Sequence, residues 1–444
     1  MGWASVLGPG WATEMLQRKR HIDASALDVA PRMARLRKKA LAVVLMASAV
    51  LLGAVVWPFT KAHLQAVAVL RLVSGQPAPW AIGKLVTEPV RTKDVQFATN
   101  AGLVKGRLYL PQRHPDAPGM IVLHGVHHLG IDEPRLVNFA TAMASCGLRV
   151  LTPELPGIKD YHVDLDSVQV IGESAKWFAG QTGGPVGVMG LSFSGGLALV
   201  AAGDPMYRPE FRFVFAAGSQ DEMAHVASYY LTGEEARPDG TIEQLKPHEY
   251  GPLVLEYEHL EDFVPSEDEA AIRPVLREHL YEDRNAEKLA VAKLNERQRA
   301  EVAELMDSSS AVTKAKLAAS DVKHAQEMER LSPHGTLRTM TTPVYLLHGQ
   351  ADNIIPAAET LWMASELPHT TLREALISPV LSHVNLLDEG KPRIDDQWKL
   401  ASGDLYFQRR QSHLNLRKQS PLLVHVNQQS TKSGAIPRSR GPRR

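Results

Sequence analysis

The segment PVGVMGLSFSGGLALVAAG, residues 185–203, constrains the fold more than any other stretch of this 444-residue chain. Its short unbroken apolar run reads as a strand buried on both faces, and it passes with no intervening loop into a Gly/Ala-rich run that reads as a helix. A strand that turns so sharply into a helix forces its apex residue, Ser192, into a strained backbone. It also needs small neighbours so that the helix can approach the strand. The local pattern is Gly190-Leu191-Ser192-Phe193-Ser194, so Ser194 stands where glycine is commoner. The turn lifts Ser192 clear at a helix N-terminus, where the dipole and the Phe193 N–H face any negative charge that develops nearby.

The surrounding text is consistent with this unit. From about residue 92, short β-branched runs alternate with helical patterns, which predicts a doubly wound, mostly parallel sheet with helices on both faces. VQFAT and VKGRLYLP read as an opening antiparallel pair, and MIVLHG, LRVLTPEL, PVGVMGL and FRFVFAAG read as the next strands. PRLVNFATAMASCG and VDLDSVQVIGESAKWFAG supply helices between them. Between residues 221 and 338 the alternation stops: an aromatic-rich half gives way to dense Ala, Glu, Lys and Leu at helical spacing, which predicts an inserted helical cap. PVYLLHG, AAETLWMASEL and TTLREALI then resume the strand and helix alternation. The expected divisions of the core are therefore 92–220 and 339–408, with the cap at 221–338.

Ahead of this core, residues 40–57 form an uncharged apolar run of roughly 27 Å as a helix, enough to span a bilayer core. Arg32, Arg35, Arg37, Lys38 and Lys39 precede it and only Lys61 follows closely, so the positive-inside rule places residues 1–39 in the cytoplasm and the rest outside it. An uncleaved anchor is the expected reading. A cleaved signal peptide is the alternative, with Met1 and Met33 both open as starts. Residues 58–91 read as stalk and linker, and residues 409–444 as a basic, disordered tail.

Lys and Arg together number 49, as do Asp and Glu, so bulk charge predicts no nucleic-acid partner. The single cysteine, Cys146, excludes an intrachain disulfide and a cysteine metal cluster, and its context reads as a buried structural thiol.

Three further signals join Ser192. His124-Gly125-Val126 closes the MIVLHG strand, and Val126 is the expected second backbone donor of an oxyanion hole, with Phe193 the first. His127 and His128 follow, but no carboxylate or further histidine at ligand spacing accompanies them, so neither a metal nor a cofactor is expected. Asp352 in LLHGQADNIIP and His383 in LISPVLSHVNL each follow a predicted strand. The order Ser192, Asp352, His383 is the order in which strand ends of such a sheet present nucleophile, acid and base. Asp221, in the loop after FRFVFAAG, is a rival acid.

On these residues the chain resembles the α/β-hydrolase superfamily, and within it the esterase and dienelactone-hydrolase-like branches. HGV, GLSFSG, HGQADNIIP and the late SH match that family's oxyanion loop, elbow, acid turn and base loop, over about residues 92–408. The departures are Ser194 for glycine and a long cap. The resemblance implies acyl transfer to water through a Ser-His-Asp triad, with a small carboxylic ester as substrate. A peptidase or amidase with the same triad, and a catalytically silent membrane-tethered binding module, are the alternatives. The acyl and alcohol groups and the oligomeric state are not legible.

Overall fold

A computed structural model of the chain describes residues 10–100, 102–379 and 381. It divides into two units, residues 1–64 and 65–444. The apolar run lies in one helix, α1 (Gly10–Val73), and its part Arg37–Val73 is long and apolar enough to cross a membrane. Leu41, Val44, Val50, Leu51, Val55 and Phe59 are all exposed along it, which is the reverse of what a helix in a soluble core displays. The helix runs on through Pro58, and residues 61–73 continue it to Val73.

After α2 (Trp80–Val86) comes the antiparallel pair β1 (Val90–Thr99) and β2 (Gly102–Pro111). The chain then alternates through β3 (Gly119–Leu123), α3 (Pro134–Ser145), β4 (Arg149–Pro153), α4 (Pro156–Lys159), α5 (Leu165–Thr182), β5 (Val186–Leu191), α6 (Phe193–Gly203) and β6 (Phe211–Ala217). The helix ends carry the expected chemistry. Asp164 caps α5 by accepting from Ser167 N–H, and Gly183, at φ 77°, closes it in the left-handed conformation.

Between β6 and β9 the chain forms α7 (Met223–Thr232), a small hairpin of β7 (Glu234–Ala236) and β8 (Ile242–Gln244), α8 (Tyr250–Glu258), α9 (Ser266–Leu280), α10 (Arg284–Val291), α11 (Glu296–Leu305), α12 (Ala311–Leu331) and α13 (His334–Leu337). β9 (Val344–Gly349), α14 (Ala358–Glu366) and β10 (Leu372–Ser378) complete the described chain.

The main sheet has eight strands in the order β1-β2-β4-β3-β5-β6-β9-β10. β2 runs antiparallel to both of its neighbours, and every pair from β4 to β10 is parallel. Alternation along the strands divides the apolar side chains between two faces. On β3, Ile121 and Leu123 join one core cluster with α5 and α6, while Met120 and Val122 join the other with Leu136 and Ala140 of α3. The larger cluster continues into the inserted helices through Tyr229, Leu253, Leu260 and Ile272, so the insertion shares the core instead of forming its own. This strand order and direction, with a helical insertion after the sixth strand, is the α/β-hydrolase fold.

Candidate active site

Ser192 sits between β5 and α6 with φ 57° and ψ −139°, a backbone region that residues with a Cβ rarely adopt. Holding a non-glycine residue there costs on the order of 1–3 kcal/mol, which the surroundings must offset. They do so through close contact. A Cβ added at Gly190 would lie 2.4 Å from Gly195 Cα, and one at Gly195 would lie 2.0 Å from Ser219 Oγ, so both positions must be glycine for helix and strand to touch. Ser194, fully buried, does more than stay small: its Oγ donates to Leu191 O at 2.8 Å and accepts from Leu191 N–H at 3.1 Å. These two bonds clamp the first turn of α6 to the end of β5. The Ser192 N–H donates to Ala217 O on β6 at 2.8 Å, which fixes the apex from the other side. The N–H of Phe193 lies in the first helical turn, where amides have no intrahelical acceptor.

The loop after β3 lies against this apex. A methyl group at Gly125 would stand 3.5 Å from Ser192 Cβ. His124 is buried, and its Nε2 accepts from Leu155 N–H at 3.0 Å while Nδ1 lies 2.9 Å from Gly125 O. Acceptance at Nε2 leaves the proton on Nδ1, and burial pulls the imidazole down to about 4, so it stays neutral and pins the loop. The carbonyl of Val126 accepts from Tyr250 Oη at 3.0 Å, a contact from α8 of the insertion. His128 stacks on Tyr281 with ring centroids 4.4 Å apart, and burial lowers both His127 and His128. Neither belongs to a cluster of metal-ligating groups among the described residues.

Asp352 follows β9 and is 0% exposed. Its Oδ1 accepts from the N–H groups of Ile354 and Ile355, both at 3.0 Å, and Oδ2 lies 3.3 Å from His348 Nε2. His348, on β9, is itself buried; burial pulls its pKa down, but Asp352 outweighs this and raises it. The neighbours Tyr229 and Tyr230 of α7 are raised by burial first and by the Asp352 charge second, so the insertion roofs this turn as well. Strands β5 and β9 are separated only by β6, so Ser192 and Asp352 follow strands roughly 10 Å apart across the sheet. His383, the expected base, lies outside the described residues.

The rival acid has different neighbours. Asp221 faces His334 and Glu366, with His334 Nδ1 3.7 Å from its Oδ2, and burial together with Glu359 and Glu366 pushes its carboxyl up to about 8. The contacts that sequence reading missed, Tyr250 on Val126 and His348 on Asp352, have no short-range signal beyond an aromatic-rich stretch and a histidine in a strand.

No family model matches the sequence, and no curated protein does. Solved structures do match. Acylaminoacyl peptidase from Pyrococcus horikoshii is similar at 13% identity and a TM-score of 0.42, over 74% of this chain and 43% of that one. The esterase domain of a Rhodothermus marinus protein is similar at 17% identity and a TM-score of 0.38, over 72% of this chain and 99% of that one. Brefeldin A esterase is similar at 13% identity and a TM-score of 0.39, over 81% and 84%. The chain thus spans about two fifths of the peptidase structures it resembles.

Proposed function

We propose that the protein is a membrane-anchored serine hydrolase that cleaves small carboxylic esters, with Ser192 as nucleophile, His383 as base and Asp352 as acid. The observation that carries this reading is the strained backbone of Ser192 at a strand-to-helix apex, with the loop of Gly125 against its Cβ. A fold sustains such strain where the chemistry needs it.

In the reaction, His383 takes the proton from Ser192 as its Oγ attacks the ester carbonyl, and Asp352 orients the imidazole and stabilises its charged form. The N–H groups of Val126 and Phe193 receive the oxyanion, each worth roughly 3–4 kcal/mol in known systems. The alkoxide leaves with the proton from His383, and water then hydrolyses the acyl-enzyme. Tyr250 and the stacked His128 and Tyr281 pack on the loop that carries Val126. Ser192 is only 5% exposed, so a substrate reaches it only when the groups that cover it move aside. Helix Arg37–Val73 supplies the anchor, and the basic residues before it put the N-terminus in the cytoplasm.

Hydrolysis of p-nitrophenyl esters of increasing acyl length by the detergent-purified chain tests the reading. Turnover that is lost in Ser192→Ala is expected. Turnover of peptide anilides alone would move the protein to the amidase class, and inertness toward both would make it a binding module.

A further inference from the structure

Three carboxylates converge where the insertion leaves and rejoins the sheet. Asp221, Glu359 and Glu366 have side chains 0%, 2% and 4% exposed, far from the usual fate of a charged group. Glu359 is accounted for, since its Oε2 accepts from the N–H groups of Asp221 and Glu222 at 2.8 and 3.0 Å and its Oε1 faces His225 Nδ1 at 3.4 Å. The other two are not. Neither oxygen of Asp221 has a hydrogen-bond partner, and neither does the buried Oε2 of Glu366. Glu366 Oε1 accepts from Arg338 at 3.2 Å and lies 2.9 Å from His334 Nδ1. That same imidazole nitrogen stands 3.7 Å from Asp221 Oδ2.

We infer that Asp221, His334 and Glu366 form a binding site for a divalent transition-metal ion of the zinc class. Their ligand atoms all lie within 4.8 Å of one another. Bonds of about 2.1 Å in a tetrahedron put ligand atoms roughly 3.4 Å apart, and the separations of 2.9 and 3.7 Å straddle that figure. One imidazole with two carboxylates suits zinc better than calcium, which takes six to eight oxygens. The three ligands come from the loop between β6 and α7, from α13 and from α14, so the ion pins both ends of the insertion to the core. It gives the Asp221 oxygens, which have no hydrogen-bond partner, a direct bond in place of the 3.7 Å approach of His334. This site is separate from the chemistry of Ser192, and its test does not read activity.

The experiment uses the full chain in detergent, stripped with EDTA and titrated with zinc sulfate by calorimetry, with melting curves before and after. One equivalent should bind with a Kd on the order of micromolar or tighter, and at about a hundredfold excess over Kd the melting temperature should rise by about 3 °C. His334 is 43% exposed, so His334→Ala should fold normally and weaken that equivalent by about tenfold or more. The isosteric Glu366→Gln should do the same. A second group, His259, Glu261 and His324, lies in the insertion, so His259→Ala is the control and should keep the equivalent intact. The inference is overturned by an absence of zinc binding, by full affinity in His334→Ala and Glu366→Gln, or by loss of the equivalent in His259→Ala alone.

Discussion

Replacing Asp352 with asparagine separates a catalytic acid from a turn residue, because the structure sets the expected cost of each. Asparagine keeps an acceptor at Oδ1 for the N–H groups of Ile354 and Ile355, so the turn survives. It places an NH2 where Oδ2 stood, 3.3 Å from His348 Nε2. His348 Nε2 also lies 2.9 Å from Ile355 O and carries its proton there, so two donors would face each other in a buried site. That mismatch is worth about 1–3 kcal/mol, or about 1–4 °C of melting temperature. A purely structural Asp352 would therefore leave kcat near normal well below the melting temperature. An acid that holds His383 in its working tautomer predicts a loss of about 10³–10⁴-fold in kcat with KM changed little. The assay is steady-state hydrolysis of the best p-nitrophenyl ester beside a melting curve. Asp221→Asn should cost far less in kcat than Asp352→Asn. The reverse ranking, with Asp352→Asn within about tenfold of wild type, refutes the assignment.

Tyr250→Phe removes the hydroxyl that holds the Val126 carbonyl, and at about 1 kcal/mol for that bond kcat/KM should fall about fivefold; an unchanged value at an unchanged melting temperature refutes a positioning role. Burial, only partly relieved by Lys316, pushes the Glu256 carboxyl up to about 8, and its Oε2 has no hydrogen-bond partner. Its unfolded form ionises near pH 4.5 while the folded form keeps the proton, so the melting temperature should fall as pH rises from about 5 to about 8. The full cost at the alkaline end is bounded by about 4–5 kcal/mol. Glu256→Gln should flatten that slope and stabilise the protein at pH 8, and a slope as steep as wild type contradicts the assignment. A reporter fused after residue 408 should give active alkaline phosphatase, and activity only from a cytoplasmic reporter would reverse the topology.

The core of the fold was legible because each strand carries its own signal. Runs such as Met120–Leu123 and Val186–Leu191 are apolar on consecutive residues, as strands covered on both faces must be. The elbow was legible for the same local reason, but its steric demand was read onto Ser194. The close approach falls on Gly190 and Gly195, and Ser194 contributes hydrogen bonds that a composition rule does not anticipate. The turn of Asp352 after its strand was legible from its own few residues. What escaped reading joins residues distant in sequence: Tyr250 reaches Val126 across 124 positions, and Asp221 meets His334 and Glu366 only after the whole insertion has folded. The anchor run and the first part of the stalk lie in one helix, since α1 continues through Pro58 to Val73.

The most direct measurement of the central claim is intact mass after treatment with a fluorophosphonate, which phosphonylates an activated serine. The wild-type chain should gain the mass of one adduct, Ser194→Ala should gain it as well, and Ser192→Ala should gain none. An adduct that persists in Ser192→Ala and disappears in Ser194→Ala would contradict the account.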